Sequence, residues 1–382
     1  MQDFEAIRPY QDEEVEGVVA RLVRDANLIH GASVFLAPRL AGIWPAAADW
    51  LAARLLIHNT RKISSVGDVQ SFLKDYMTRL INESIAELTV SGLDELDTDQ
   101  AYLFISNHRD IMMDTGLLNY VIYQAGYQTA RSAVGDNLLS EAYAADLMRL
   151  NKSFVIHRSV TGSRAVYAVL SRTSEYIRHS LECGHSIWIA HREGRSKDGF
   201  DRTEPALLKM LALAYRSEID TVGDLLKNVK LIPVSISYEL DPCDRRKAHE
   251  LTVLARDGEY RKSKDEDLIS IVEGMTGFKG RVHLHFSKPM TGEYKEADSL
   301  ALAIDRAIIG GMRVFPTQAA AARELGYTSV PDAGSWLPEV ESAYSERLAA
   351  APASERAQLL AGYGNLIRNR NELGISISGE IL

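Results

Sequence analysis

A chain of 382 residues, 46% hydrophobic and 25% charged, has the length and composition of a folded globular protein, and excludes a disordered, fibrous or disulfide-stapled one. A net charge of −9 argues against general nucleic-acid binding, which needs many cations to neutralise phosphates. The two cysteines, Cys183 and Cys243, are too few and too far apart for a metal-ligand spacing, and suit a reducing compartment.

The N-terminal run MQDFEAIRPYQDEEVEG is acidic and lacks the basic-then-apolar order of a secretory leader. Residues 1–88 read as a helical region. From Ser65 onward Val69, Phe72, Leu73, Tyr76, Met77, Leu80 and Ile81 recur at helical spacing. Pro45 to His58 opens with a proline suited to a first turn. That segment either packs on the core, the expected outcome, or lies on a bilayer surface. Arg39, Asp49, Arg54 and two prolines interrupt the apolar stretch Ala32 to Ile57, so no spanning helix is expected.

Between 89 and 290 short apolar runs alternate with helical stretches. The runs are Tyr102 to Ile105, Phe154 to Ile156, Ile187 to Ala190, Leu231 to Ile236 and Val282 to Phe286. The expected fold is α/β, a mixed sheet covered by helices, flanked by the N-terminal helical region and by a helical extension over 291–382. Inside this acidic protein, Arg149 to Arg202 carries ten Lys or Arg against five Asp or Glu, a local excess that suits an anionic ligand.

Four clusters can carry chemistry. In LFISNHRDIMMD, Asn107 and His108 follow an apolar strand, and Asp110 and Asp114 follow closely. A carboxylate beside a histidine can fix its tautomer and leave the other ring nitrogen to take a proton. In NKSFVIHR a strand ends at Arg158, whose planar fork matches phosphate oxygens. In WIAHREGRSKDGFDRT a strand opens into a loop holding Glu193, Gly194, Arg195, Ser196 and Lys197, a plausible anion cradle. In LIPVSISY, Pro233 stands near the start of a buried run and suits an edge or a bulge. His157, His185 and His191 have no metal-ligand spacing, and no metal is expected. His108-Arg109-Asp110 spells part of a protein-kinase catalytic loop, but Thr115 stands where that motif needs Asn. Gly184-His185-Ser186-Ile187-Trp188 lacks the last glycine of a serine-hydrolase elbow.

In order and approximate spacing these clusters resemble the four blocks of the glycerolipid acyltransferases of the lysophosphatidic acid acyltransferase family, and NHRDIMMD with HREGRSKDG is similar to a bacterial glycerol acyltransferase subgroup. The resemblance covers 89–290, which would be the acyltransferase domain. It implies an O-acyltransferase with His108 as general base, and Asn107, Arg158, Glu193, Gly194, Arg195, Ser196, Lys197 and Pro233 around the substrates. The acceptor would be a lysophospholipid such as 1-acyl-sn-glycerol-3-phosphate, or alternatively a lyso-aminolipid. The donor would be acyl-CoA or acyl carrier protein, a thioester co-substrate, with no cofactor. The implied place is the cytoplasm, peripheral on the inner face of the cytoplasmic membrane. A non-catalytic lipid-binding protein of the same fold is the remaining alternative. Two letters depart from the family pattern: Met113 stands five residues after His108, where the family has Asp, and the third block lacks its Thr. Asp114 is the favoured partner of His108, and Asp110 is better placed to cap the following helix.

Overall fold

The computed structural model describes residues 4–136, 141–157, 160–263 and 266–376. Seven strands follow in chain order: β1 (Glu87–Ser91), β2 (Leu103–Ser106), β3 (Arg131–Gly135), β4 (Ser153–Ile156), β5 (Ile187–Ala190), β6 (Leu231–Tyr238) and β7 (Arg281–Phe286). Two compact units are present, Met1–Tyr76 with Arg131–Tyr176, and Met77–Ala130 with Ile177–Leu382. The α/β expectation holds.

In the first unit β3 and β4 pair in parallel. Helix Asp12–Leu22 starts where Glu14 reaches back to accept from the Gln11 N–H at 2.8 Å, and it buries Val15, Val18 and Leu22 against Val69 and Leu150. Helix Ala26–Leu36 is capped by Asp25, which accepts from the Asn27 and Leu28 N–H groups. Helix Pro45–Thr60 corrects the core-packing expectation. It buries only the small side chains of Ala48 and Ala52, while Trp50, Leu51, Leu55 and Ile57 are exposed, as are Ile43 and Trp44 just before it. Its apolar residues lie all round the helix, so no single stripe specifies a core-facing side.

In the second unit five strands form a mixed sheet in the order β1-β7-β6-β2-β5, antiparallel only between β6 and β7. β2 and β6 are buried throughout, which their largely apolar sequences LFIS and LIPVSISY anticipate. Pro233 is corrected here, because it sits in the interior strand β6 opposite Ile105 of β2. It is tolerated because its carbonyl accepts from the Ser287 N–H (3.0 Å) just past the end of β7. The return bond there is the one a proline cannot make. Helices Met113–Gln124, Ala297–Gly311, Pro316–Glu324, Pro338–Ala350 and Arg356–Glu372 belong to this unit. The C-terminal helices enclose a core of their own, in which Val340, Tyr344, Leu359, Leu360 and Tyr363 pack with Leu240 and Ala321.

Candidate active site

β2 delivers the site. Its last residues are locked to β6 by Asn107, whose Nδ2 donates to the Ile236 carbonyl (2.9 Å) and whose Oδ1 accepts from the Ile236 N–H (2.8 Å). Asn107 is expected among the substrate-binding residues. The structure gives it a positioning place instead, because it is fully buried and both ends of its amide are spent on backbone.

His108 comes next, and its Nδ1 lies 2.7 Å from Asp114 Oδ2. Asp114 is completely buried in the first turn of helix Met113–Gln124. Oδ2 also accepts from the Arg109 N–H (2.6 Å) and the Asp110 N–H (2.9 Å), and Oδ1 accepts from the Tyr238 hydroxyl (2.8 Å). Nδ1 faces a carboxylate oxygen that accepts there, so Nδ1 carries the hydrogen and Nε2 carries the lone pair. The imidazole is part-buried, edge-on to the Trp188 ring with centroids 5.8 Å apart, and Trp188 Nε1 is held by the Ser106 hydroxyl at 3.0 Å. Among the described residues the ring's hydrogen-bond partner is Asp114, met through Nδ1, which leaves Nε2 open.

Asp110 takes the capping place. Its Oδ1 accepts from the Met112 and Met113 N–H groups at 3.0 and 2.9 Å, which satisfies donors at the mouth of the helix. Burial, and then the charge of Asp114, push its carboxyl above the usual range. Gly274 lies against it, and a Cβ there would fall 2.0 Å from Asp110 Oδ2, so this helix contact requires glycine.

The third cluster is attached to the first through backbone. The Ser196 N–H donates to the His108 carbonyl (2.7 Å), and the Ser196 hydroxyl donates to the Phe200 carbonyl (3.0 Å). Ser196 therefore holds the loop, and its buried side chain is turned to protein. Gly199 has φ +78° and packs so tightly that a Cβ would lie 2.7 Å from the Gly362 carbonyl. Glu193 and Gly194 are exposed, and Lys197 is ion-paired with Glu250. Arg195 has a buried Nη1 with no hydrogen-bond partner among the described residues, and Arg192 Nε is in the same condition. Arg158 lies outside the described residues.

Several residues of the site carry no local signal. Arg109 Nη2 donates to the fully buried Asp201 at 2.5 Å. Lys247, 4% exposed, donates to the Arg109 carbonyl (2.7 Å) and pairs with Asp241, so the segment after His108 is held from two sides. Among the described residues neither ring nitrogen of the buried His191 has a hydrogen-bond partner, and burial, then Arg192 and Arg109, lower it to about 3, which keeps it neutral. Burial pushes the Cys243 thiol up to about 12, so it offers no thiolate near neutral pH. A cleft at the end of β6 is lined by Arg109, Ser196, Lys197, Tyr238, Asp241, Lys247, Arg313, Gln358 and Tyr363 among others. Among the described residues no three His, Cys, Asp or Glu side chains gather as metal ligands.

Residues 87–237 match the family model described as Acyltransferase. Over 196 residues the chain is 28% identical to a glycerol-3-phosphate acyltransferase of Colwellia psychrerythraea, a match covering 49% of this chain and 21% of that protein. The chain thus spans about a fifth of that relative's length. It is also similar to the crystal structure of the 1-acyl-sn-glycerophosphate (LPA) acyltransferase from Thermotoga maritima, with 17% identity and a TM-score of 0.37, covering 74% of this chain and 94% of that one.

Proposed function

We propose that this chain, whose residues 87–237 match the Acyltransferase family model, transfers a fatty acyl group from a thioester, acyl-CoA or acyl carrier protein, to the hydroxyl of a lysophospholipid such as 1-acyl-sn-glycerol-3-phosphate. The observation that carries this reading is the His108–Asp114 pair, with Nδ1 engaged at 2.7 Å. His108 Nε2 takes the proton of the acceptor hydroxyl as its oxygen attacks the thioester carbonyl. The C–S bond then breaks, and the imidazolium returns the proton to the leaving thiolate. The carrier thioester supplies the activation, so no cofactor enters. Arg195, with its unsatisfied buried N–H, is the side chain best suited to meet the acceptor's phosphate, with Arg192 beside it in sequence. A lyso-aminolipid acceptor would leave these cations unanswered.

Such substrates are presented at a lipid surface. Among the described residues no helix is long and apolar enough to cross a membrane. The exposed set Ile43, Trp44, Trp50, Leu51, Leu55 and Ile57, with Arg39, Arg54, Arg61 and Lys62 exposed around it, suits peripheral contact with an anionic leaflet, which is the cytoplasmic face. The protein is expected to co-sediment with vesicles containing anionic lipid, and a Trp44→Ala, Trp50→Ala double variant to do so at least several-fold less. Equal sedimentation of the two would remove this surface from consideration.

The reaction is tested with labelled acyl-CoA and acyl carrier protein as donors, and lysophosphatidic acid and lyso-ornithine lipid as acceptors. Labelled phosphatidic acid is the expected product, absent with His108→Ala. Acylation of the aminolipid alone would transfer the reading to that acceptor. Undiminished activity of the His108 variant would overturn the base mechanism.

A further inference from the structure

Residues of the C-terminal region meet the chain at the end of β6. Three consecutive residues there are gripped by the segment 313–318. The Arg313 N–H donates to the Ser237 hydroxyl (3.0 Å), Gln318 Nε2 donates to the Tyr238 carbonyl (3.0 Å), and the Thr317 hydroxyl donates to the Glu239 carbonyl (2.6 Å). Gln318 is itself fixed, since its Oε1 accepts from the Phe315 N–H at 3.0 Å. Tyr238, so placed, sends its hydroxyl to Asp114 Oδ1.

We infer that Tyr238 is a positioning residue for the His108–Asp114 pair, and that the C-terminal region serves catalysis by holding Tyr238 in place through Gln318. The inference rests on the proposed role of His108. The division of labour at Asp114 carries it. Oδ2 is fixed by the Arg109 and Asp110 N–H groups and faces His108, whereas the one donor to Oδ1 among the described residues is Tyr238. Asp114 is fully buried, so without that hydroxyl one oxygen of an ionised carboxylate has no donor. The negative charge then draws more on the Nδ1 hydrogen of His108, and the imidazolium is favoured. The carboxylate also gains freedom to rotate, which loosens the aim of Nε2. The other charged groups near the imidazole do not duplicate this effect. Arg109 is neutralised by Asp201, Lys247 by Asp241, and His191 is neutral, leaving Asp110 and Arg192 unchanged by the substitution.

The test is Tyr238→Phe in the full chain, which keeps the ring and removes only the hydroxyl, with Gln318→Ala as the second variant. Titration of the ¹⁵N-labelled histidines, with the His108 signal assigned by its absence in His108→Gln, reads the imidazole without any assay. Its midpoint is expected to move upward by about half to one pH unit in Tyr238→Phe, and by less in Gln318→Ala. In the transfer assay the acid limb of the kcat/KM profile moves to higher pH by the same amount, and kcat falls about tenfold to a hundredfold with KM for the donor unchanged. A residue that merely packs would lower stability and leave the midpoint where it was. An unmoved midpoint in a folded Tyr238→Phe protein overturns the inference. If the parent shows no acyl transfer, the proposed function fails, and the titration still decides whether Tyr238 controls His108.

Discussion

Asp114→Asn is expected to lower kcat for acyl transfer by about 10²–10⁴-fold, while Asp110→Asn lowers it by less than about tenfold. The asymmetry follows from what each carboxylate touches. At Asp114 the two backbone N–H groups of Arg109 and Asp110 converge on Oδ2, so an asparagine there turns its carbonyl oxygen to that point and its amide nitrogen to Tyr238. His108 Nδ1 still finds an acceptor and keeps its hydrogen. The loss is the negative charge that stabilises the imidazolium as the proton arrives on Nε2. Asp110 has its Oδ1 on the Met112 and Met113 N–H groups, a task an amide oxygen performs as well. Measuring kcat of both variants at matched thermal stability decides the matter. A larger loss from Asp110→Asn would reverse the assignment of partner and cap.

The sequence spacing of this pair departs from the family pattern by one residue, and the structure shows how that is absorbed. The chain from Arg109 to Met112 folds back around Asp114, which bonds to the two peptide N–H groups directly after His108. Contacts of this kind are local and therefore readable, as are largely apolar strands such as β2 and β6. β1 and β3 carry no such apolar sequence and are mixed in composition. β1 uses Thr89 and Ser91 to bond His283 and His285 of β7, and β3 contains Arg131, Ser132 and Gly135. Tyr238 and Lys247 were illegible for a different reason. They meet the His108 loop across 124 and 138 residues of chain, through a strand order that no local pattern encodes. Lys197 shows the same limit. Its ion pair with Glu250, 53 residues further along the chain, is not readable from the basic motif that contains it.

Asp201→Ala is expected to cost about 3–5 kcal/mol of stability, the range for breaking a buried ion pair by removing one partner. Asp201 is fully buried and its partner Arg109 nearly so, with side-chain exposures of 0% and 12%. Alanine would leave the guanidinium without its counter-ion in a site where water reaches it poorly. Asp241, whose charge also acts on Arg109, is already paired with Lys247. Asp305 is occupied by the Thr203 N–H and hydroxyl at 2.6 Å each, and burial pushes its carboxyl up to about 6. Asp201→Asn should recover roughly half of the loss, because its amide oxygen can still accept from Arg109 and its nitrogen can donate to His191, 3.7 Å away and neutral. Two compact units need not unfold together, so the comparison is best made as the urea midpoint of the transition that also abolishes acyl transfer. A loss below about 1 kcal/mol in the alanine variant would place the pair among solvated surface bridges. A loss in the expected range shared equally by alanine and asparagine would mean that the charge, and not the hydrogen bond, holds Arg109 beside His108.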